Sequence, residues 1–447
     1  MPDPHQPSPS PMPATTPTTL PAGAIPLGTH AHRGRNGFFC VQRSERGVWT
    51  LRDPADKPFV YRGVCGVNRA GTQGGRRAKP GPYADAVDRR YDYPRSPGPF
   101  VQATVQRLRD WGFNAFGAWT TEEFFDAGLP YTEILEFAHV HEPIRAPGLR
   151  LPDVFDPQWR DLADRQARKL CLPRRNDPHL IGYFTDNELS FAQPGTDHIW
   201  GAADLINTKG ATLLQAACAL QNDLPARAEA RRWLLERHGT FDRIARAWEA
   251  DLRSFDQLTE QTAAGLTLST PGYGTDHDLF TRHYVGTYLR EAHAAIRRYD
   301  TNHLILGTRY GAPPGGPVLQ LAQWPWADVQ SANNYRVDFF GRMDLYHRTA
   351  GEPILNGEFS WASPPFQDGA RDQAARLAHV RELGREALER AFTHPALIGY
   401  TWYRWVQKTD AAGIGYGLVD EADQPVSFNT DLLRNIHTRL DAIHARR

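Results

Sequence analysis

The sequence is short of cysteine, of unbalanced charge and of long apolar runs, and each shortage removes a class of protein. Only four cysteines occur in 447 residues: Cys40, Cys65, Cys171 and Cys218. They lie far apart, without a CxxC pair or a Cys/His cluster at the short spacings of a zinc site, so buried reduced thiols are expected. Lys plus Arg and Asp plus Glu each total 51. No surplus of positive charge is available to release counterions from a nucleic acid or to hold an anionic membrane surface. No run approaches the roughly 18 apolar residues of a membrane span, and Met1-Pro2-Asp3-Pro4-His5 lacks the basic and apolar segments of a secretion signal. The expectation is a cytoplasmic protein, or a secreted one if the start is truncated, with neither nucleic acid nor membrane as partner. Gly-x-Ser-x-Gly elbows, a Cys beside a His and Gly-x-x-x-x-Gly-Lys-Ser/Thr loops are also missing, which leaves nucleophilic Ser or Cys chemistry and phosphate cradling without support.

Hydrophobic residues make up 40% of the chain, enough for the core of one large barrel or of two ordinary domains. Twelve tryptophans suit stacking on sugar rings, although large barrels also use them to fill volume. Residues 1–35 are rich in Pro, Ser, Thr and Ala and read as a disordered tail. From Phe38 to Val64, short apolar stretches alternate with the turn formers Arg46-Gly47 and Asp53-Pro54, the pattern of a small antiparallel hairpin capping one end of the catalytic domain, 36–447.

Eight short apolar runs follow, at 61–67, 112–119, 134–140, 180–185, 304–308, 328–332, 354–358 and 397–402. Segments of helical period separate several of them, at 101–111, 159–172, 279–299 and 372–393. Parallel strands that need crossover helices give this alternation, and eight of them close into a (β/α)8 barrel. The oversized connection 189–278 reads as a helical insertion between strands four and five, with amphipathic pieces at 211–222, 230–238 and 241–248. The loop 69–93 is expected to overhang the same mouth.

The C-terminal ends of barrel strands converge on that mouth. Strand four ends in Thr185-Asp186-Asn187-Glu188 and strand seven in Asn356-Gly357-Glu358, so two glutamates face each other across the barrel. Retaining hydrolysis of a glycoside needs such a pair, one carboxyl protonated to supply the leaving oxygen and one ionised to attack the anomeric carbon. Like-charge proximity and partial burial are expected to raise the group that must stay protonated, and hydrogen bonds to hold its partner ionised. Asn187, beside Glu188, is placed to hydrogen-bond the sugar 2-hydroxyl.

Asn187-Glu188 with Glu358 resembles the signature of clan A glycoside hydrolases, and Gly182-Tyr183-Phe184-Thr185-Asp186-Asn187-Glu188-Leu189-Ser190 resembles the agarases of glycoside hydrolase family 50. Leu235-Glu236-Arg237-His238-Gly239-Thr240-Phe241 with Ala247-Trp248 is similar to that family's helical insertion, and Ile398-Gly399-Tyr400-Thr401-Trp402-Tyr403 to its eighth strand. The resemblance implies cleavage of β-1,4-galactosidic links with retention, Glu188 as acid/base, Glu358 as nucleophile, and no metal or organic cofactor. It also implies an aromatic floor beneath the sugar, assigned to Trp402 at the end of strand eight. By strand position, Tyr335 is expected to donate its hydroxyl to Glu358, and Arg309 to contact a carboxylate near it. Asn68, Trp119 and His141 are weaker candidates for hydroxyl contacts or stacking, a lone His being more often structural. A β-galactosidase, β-glucosidase or mannanase of the same clan, and a carbohydrate-binding barrel without turnover, remain open beside the agarase reading.

Overall fold

Short runs buried on both faces build the barrel, as expected of strands sandwiched between an interior and a helical layer. The computed structural model describes residues 31–447 apart from 72–78, 94, 142, 147–148, 190–212, 220–223, 258–269, 312–317, 319–320, 322, 362, 364–365, 367–371 and 408–414. Its strands are β1 (Tyr61–Val64), β2 (Ala115–Phe116), β3 (Tyr131–Ile134), β4 (Leu180–Phe184), β5 (Leu304–Ile305), β6 (Gln330–Asn333), β7 (Ile354–Phe359) and β8 (Leu397–Trp402). They pair in parallel in the order β5-β4-β3-β2-β1-β8-β7-β6. A parallel bridge from Tyr310 to Ala332 joins β5 to β6 and closes the (β/α)8 barrel.

The helices are α1 (Pro82–Tyr91), α2 (Pro97–Asp110), α3 (Pro157–Cys171), α4 (Leu213–Ala219), α5 (Pro225–His238), α6 (Phe241–Ala247), α7 (Pro271–Arg297), α8 (Phe339–Ala350), α9 (Gln373–Ala391) and α10 (Ser427–His444). Several begin a few residues before the apolar period does, because a proline occupies the first turn, where its missing N–H costs nothing. Asp156 caps α3 by accepting from the Gln158 amide at 2.8 Å, worth about 1 kcal/mol. Helices α4 to α6 lie between β4 and β5, within the expected insertion, much of which falls outside the described residues. No helix among the described residues is long and apolar enough to cross a membrane.

Three short antiparallel strands, His32–Gly34, Cys40–Arg43 and Trp49–Arg52, precede the barrel. They sit at the N-terminal ends of the barrel strands: Trp49 N–H donates to Pro395 O, its indole to Gly351 O, and Arg33 Nη1 to Asp328 O, all just ahead of β8, β7 and β6. The folded chain therefore starts earlier than the expected boundary at residue 35. Arg33 is buried there with its guanidinium between the Trp49 and Trp324 rings, at 4.9 and 4.8 Å, and residues 1–30 lie outside the described residues.

The third strand is displaced from the expected 134–140 to Tyr131–Ile134. After it Glu136 takes a left-handed conformation (φ 55°) and Phe137–His139 form a short 3-10 turn, tied to the chain after β4 by Phe137 N–H to Thr185 O and Ala138 N–H to Asp186 Oδ1. A buried turn and a buried strand share the same apolar composition, so periodicity does not separate them. The loop 69–93 carries α1, and the four cysteines are free and buried.

Candidate active site

Glu188 lies just past β4, half-buried, with its backbone in the left-handed region (φ 53°) and its N–H donated to Arg309 O at 3.1 Å. Gly311 gives it room, since a Cβ there would stand 2.9 Å from Glu188 Cγ. Glu358, near the end of β7, is only 4% exposed. Pairing of β6 with β7 shifts register after Ala332, which brings Asn333 opposite Glu358 instead of Gly357. Such irregularities re-aim side chains at barrel rims. The Asn333 amide donates to Glu188 Oε1 at 2.8 Å and to Asn187 Oδ1 at 3.1 Å, both just past β4, while its backbone lies in register with Glu358 of β7.

Glu358 has two donors. Arg309 Nη2 stands 2.9 Å from its Oε1, and the Tyr335 hydroxyl donates to its Oε2. Arg309 is fully buried, with its guanidinium over the Trp119 ring at 4.5 Å and the Phe184 ring at 5.1 Å, and its Nη2 also donates to Gly357 O at 2.7 Å. Burial works against the Arg309 charge, but Glu358, Cys65 and Glu188 offset it and leave the guanidinium above its usual range. Burial, followed by the charges of Glu358 and Glu188, keeps the Tyr335 phenol protonated well above its ordinary value, so it acts as a donor.

Burial pushes the Glu358 carboxyl up to about 7; Arg309 and Tyr335 pull it down, and the charge of Glu188 pushes it further up. The upward shift at Glu358 follows from depth, because this carboxyl is enclosed at the end of β7.

The other expected residues divide. Asn187 is half-buried beside Glu188 and tied to Asn333. Trp119 (φ 62°) is buried, stacked on Arg309 with its indole N–H 3.4 Å from Glu136 Oε1, so it supports the cation. Asn68 is buried and its amide donates to Gly66 O and Trp119 O, tying the ends of β1 and β2 together. His141 pairs with Asp156, the cap of α3, at 3.2 Å and so serves the loop after β3.

Trp402 does not form a floor. Side chains alternate along β8: the Tyr400 hydroxyl meets His437 of α10 at 2.7 Å, Thr401 turns inward to Gly357 O, and Trp402 turns outward again. There it is fully buried, 4.4 Å edge-to-face from Trp361, whose indole donates to Asn429 of α10. The next residue, half-buried Tyr403, lies 6.3 Å edge-to-face from Tyr335, close enough for the charge of Glu358 to be felt at its phenol. Strand alternation from inward-facing Thr401 sets this one-residue step. Asn333, two residues before Tyr335, carries no motif that would mark it in the sequence. Among the described residues no group of three or more His, Cys, Asp or Glu gathers as a metal site.

Residues 131–351 match the family model described as beta-galactosidase. Beta-agarase A of Vibrio sp. (strain JT0107) is 23% identical over 368 residues, covering 75% of this chain and 35% of that protein. Beta-agarase B of the same organism is 22% identical over 337 residues, covering 72% and 34%. The chain thus spans about a third of the length of the curated relatives it matches. A solved exo-beta-agarase superposes with a TM-score of 0.72 at 20% identity, covering 92% of this chain and 66% of that one. In fold and in the motif at its strand ends, the chain resembles the clan A glycoside hydrolases, the β-agarases among them.

Proposed function

We propose that the protein hydrolyses β-glycosidic bonds, with β-1,4-galactosidic links of agarase type as its substrate, by double displacement with retention. The observation that carries this reading is the convergence of Glu188 and Glu358: Asn333 touches one and lies in register with the other, and the charge of each is felt at Arg309. In the first step Glu358 attacks the anomeric carbon while Glu188 protonates the departing oxygen; in the second, Glu188 takes a proton from water, which attacks the glycosyl-enzyme. Arg309 and Tyr335 supply the fixed donors that an ionised Glu358 requires in a buried setting.

The test is azide rescue on aryl β-galactosides and agaro-oligosaccharides. Glu358→Ala is expected to yield an α-glycosyl azide and Glu188→Ala a β-glycosyl azide, each from a protein whose unassisted kcat has fallen by orders of magnitude. Normal activity in either variant, or product of the other configuration, refutes the role assigned to that residue. A β-galactosidase acting on short substrates is the second reading, favoured by the match of residues 131–351 to the beta-galactosidase family model. Release of galactose from lactose without cleavage of agaro-oligosaccharides would select it.

A further inference from the structure

Asn333, the last residue of β6, is 2% exposed, and its amide nitrogen commits both hydrogens to Glu188 Oε1 and Asn187 Oδ1. Its own Oδ1 is buried with no hydrogen-bond partner among the described residues. Only a glycine at 357 leaves that atom room, since a Cβ there would lie 2.6 Å from it. Leaving a buried acceptor unmet carries the desolvation cost of that group with no return. An amide retained for stability alone would spend that acceptor, and an unmet buried polar atom in a native site calls for another explanation. Here the donor points at the half-exposed carboxyl, and the register shift in β6 and β7 is what brings Asn333 level with Glu358.

Building on the assignment of Glu188 as proton donor, we propose that Asn333 is a positioning residue that fixes the Glu188 carboxyl for transfer to the leaving oxygen. Asn333 holds Oε1, and Oε2 carries the proton. That proton passes to the glycosidic oxygen as its bond to the anomeric carbon breaks, while Glu358 forms the new bond on the opposite face. The amide touches no reacting atom, so its loss affects only the proton-dependent part of the step.

Leaving-group dependence isolates that part. A 2,4-dinitrophenolate departs without a proton, whereas a sugar alcohol does not. Asn333→Ala in the full chain is expected to lower kcat/KM on a galactoside with a sugar leaving group by about 10–100-fold, a share of the roughly 100–10,000-fold that general acid catalysis contributes. On the 2,4-dinitrophenyl β-galactoside the loss is expected to stay within about 3-fold, as only the proton-independent interactions remain in play. Asn333→Asp keeps the volume and replaces the donor with an acceptor, so it repeats the pattern even where truncation disturbs packing. Equal losses on both substrates, or no loss on either, overturn the inference. Glu188→Ala distinguishes the levels. If it shows the leaving-group pattern and the Asn333 variants do not, this inference alone falls; if it shows no such pattern, the assignment of Glu188 falls with it.

Discussion

Replacing Arg309 by Met tests how the site keeps a buried carboxyl usable. The thioether chain preserves most of the apolar contact with Trp119 and Phe184 and removes the cation 2.9 Å from Glu358 Oε1. A hydrogen bond between charged partners contributes about 1.5–3 kcal/mol, which corresponds to about 1–2 pKa units at roughly 1.4 kcal/mol each. Glu358, at about 7 with Arg309 in place, should then ionise near 8–9, roughly one to two units higher. A nucleophile works only when ionised, so the acid limb of kcat/KM is expected near about 7 in the unaltered protein and to move up by that interval in Arg309→Met. At neutral pH the ionised fraction falls from about one half to between about 1% and 10%, a loss of roughly 5–50-fold that is recovered in alkaline buffer on a 2,4-dinitrophenyl β-galactoside, whose departure needs no proton from Glu188. Arg309→Lys keeps a charge without the planar fork and should fall between the two. Aryl β-galactoside kinetics across the pH range read the shift directly. An acid limb that stays in place in Arg309→Met, with activity lost uniformly at every pH, refutes the reasoning.

Three further outcomes follow from the same geometry. Gly311→Ala places a Cβ 2.9 Å from Glu188 Cγ, and is expected to lower kcat at least about 10-fold with little change in thermal midpoint; wild-type turnover would show that Glu188 tolerates displacement. Tyr335→Phe removes one of the two donors to Glu358 and is expected to cost about 10-fold in kcat/KM and to raise the acid limb less than Arg309→Met does, read from the same pH profile. Because Glu358 titrates higher in the fold than the usual 4.5, its proton favours the native state: stability is fully present below about pH 4.5 and declines as pH rises through about 7, by about 3 kcal/mol in all. Urea unfolding of the unaltered protein should show this decline and Glu358→Gln should lack it, and parallel slopes in the two would refute the shift.

The strands that read clearly are those whose ends are fixed by backbone pairing along their whole length. β8 runs over Leu397–Trp402, as its six apolar or small residues suggest, and β7 differs only by including Phe359. β5 is cut to Leu304–Ile305 because the chain turns at Gly307 (φ 78°), although Leu306 still donates to Tyr183 O. Helix α1 falls within the expected loop 69–93, and two more helices, α8 and α10, lie where the sequence predicts none. Both bury polar side chains among their apolar ones, Arg342 in α8 and Asn429, Thr430 and His437 in α10, and these blur the period that marks a helix. At the site, strand position alone put Glu188, Glu358, Arg309 and Tyr335 together. It gave no access to depth, which depends on the shift that sets Asn333 level with Glu358 and on the rings packed around Arg309.

Depth is also what separates the two proposed roles. A carboxylate that attacks must be held ionised in a dry setting by donors that need not reorganise, and Glu358 has an arginine and a phenol already in place at 4% exposure. A carboxyl that first gives a proton and then takes one from water must reach solvent between the steps, and Glu188 is half-exposed on a left-handed residue beyond its strand, with a neutral amide as its hydrogen-bond donor. The reverse assignment runs against both placements, even though Glu358 is the group that burial pushes up to about 7. The proton carrier would then be the enclosed group, paired with a buried cation that favours its charged form, and the attacking group would be the half-exposed one, without a cation in hydrogen-bond contact among the described residues. The proposed division of labour therefore rests on which strand end the fold encloses, since chemical identity is the same in both residues.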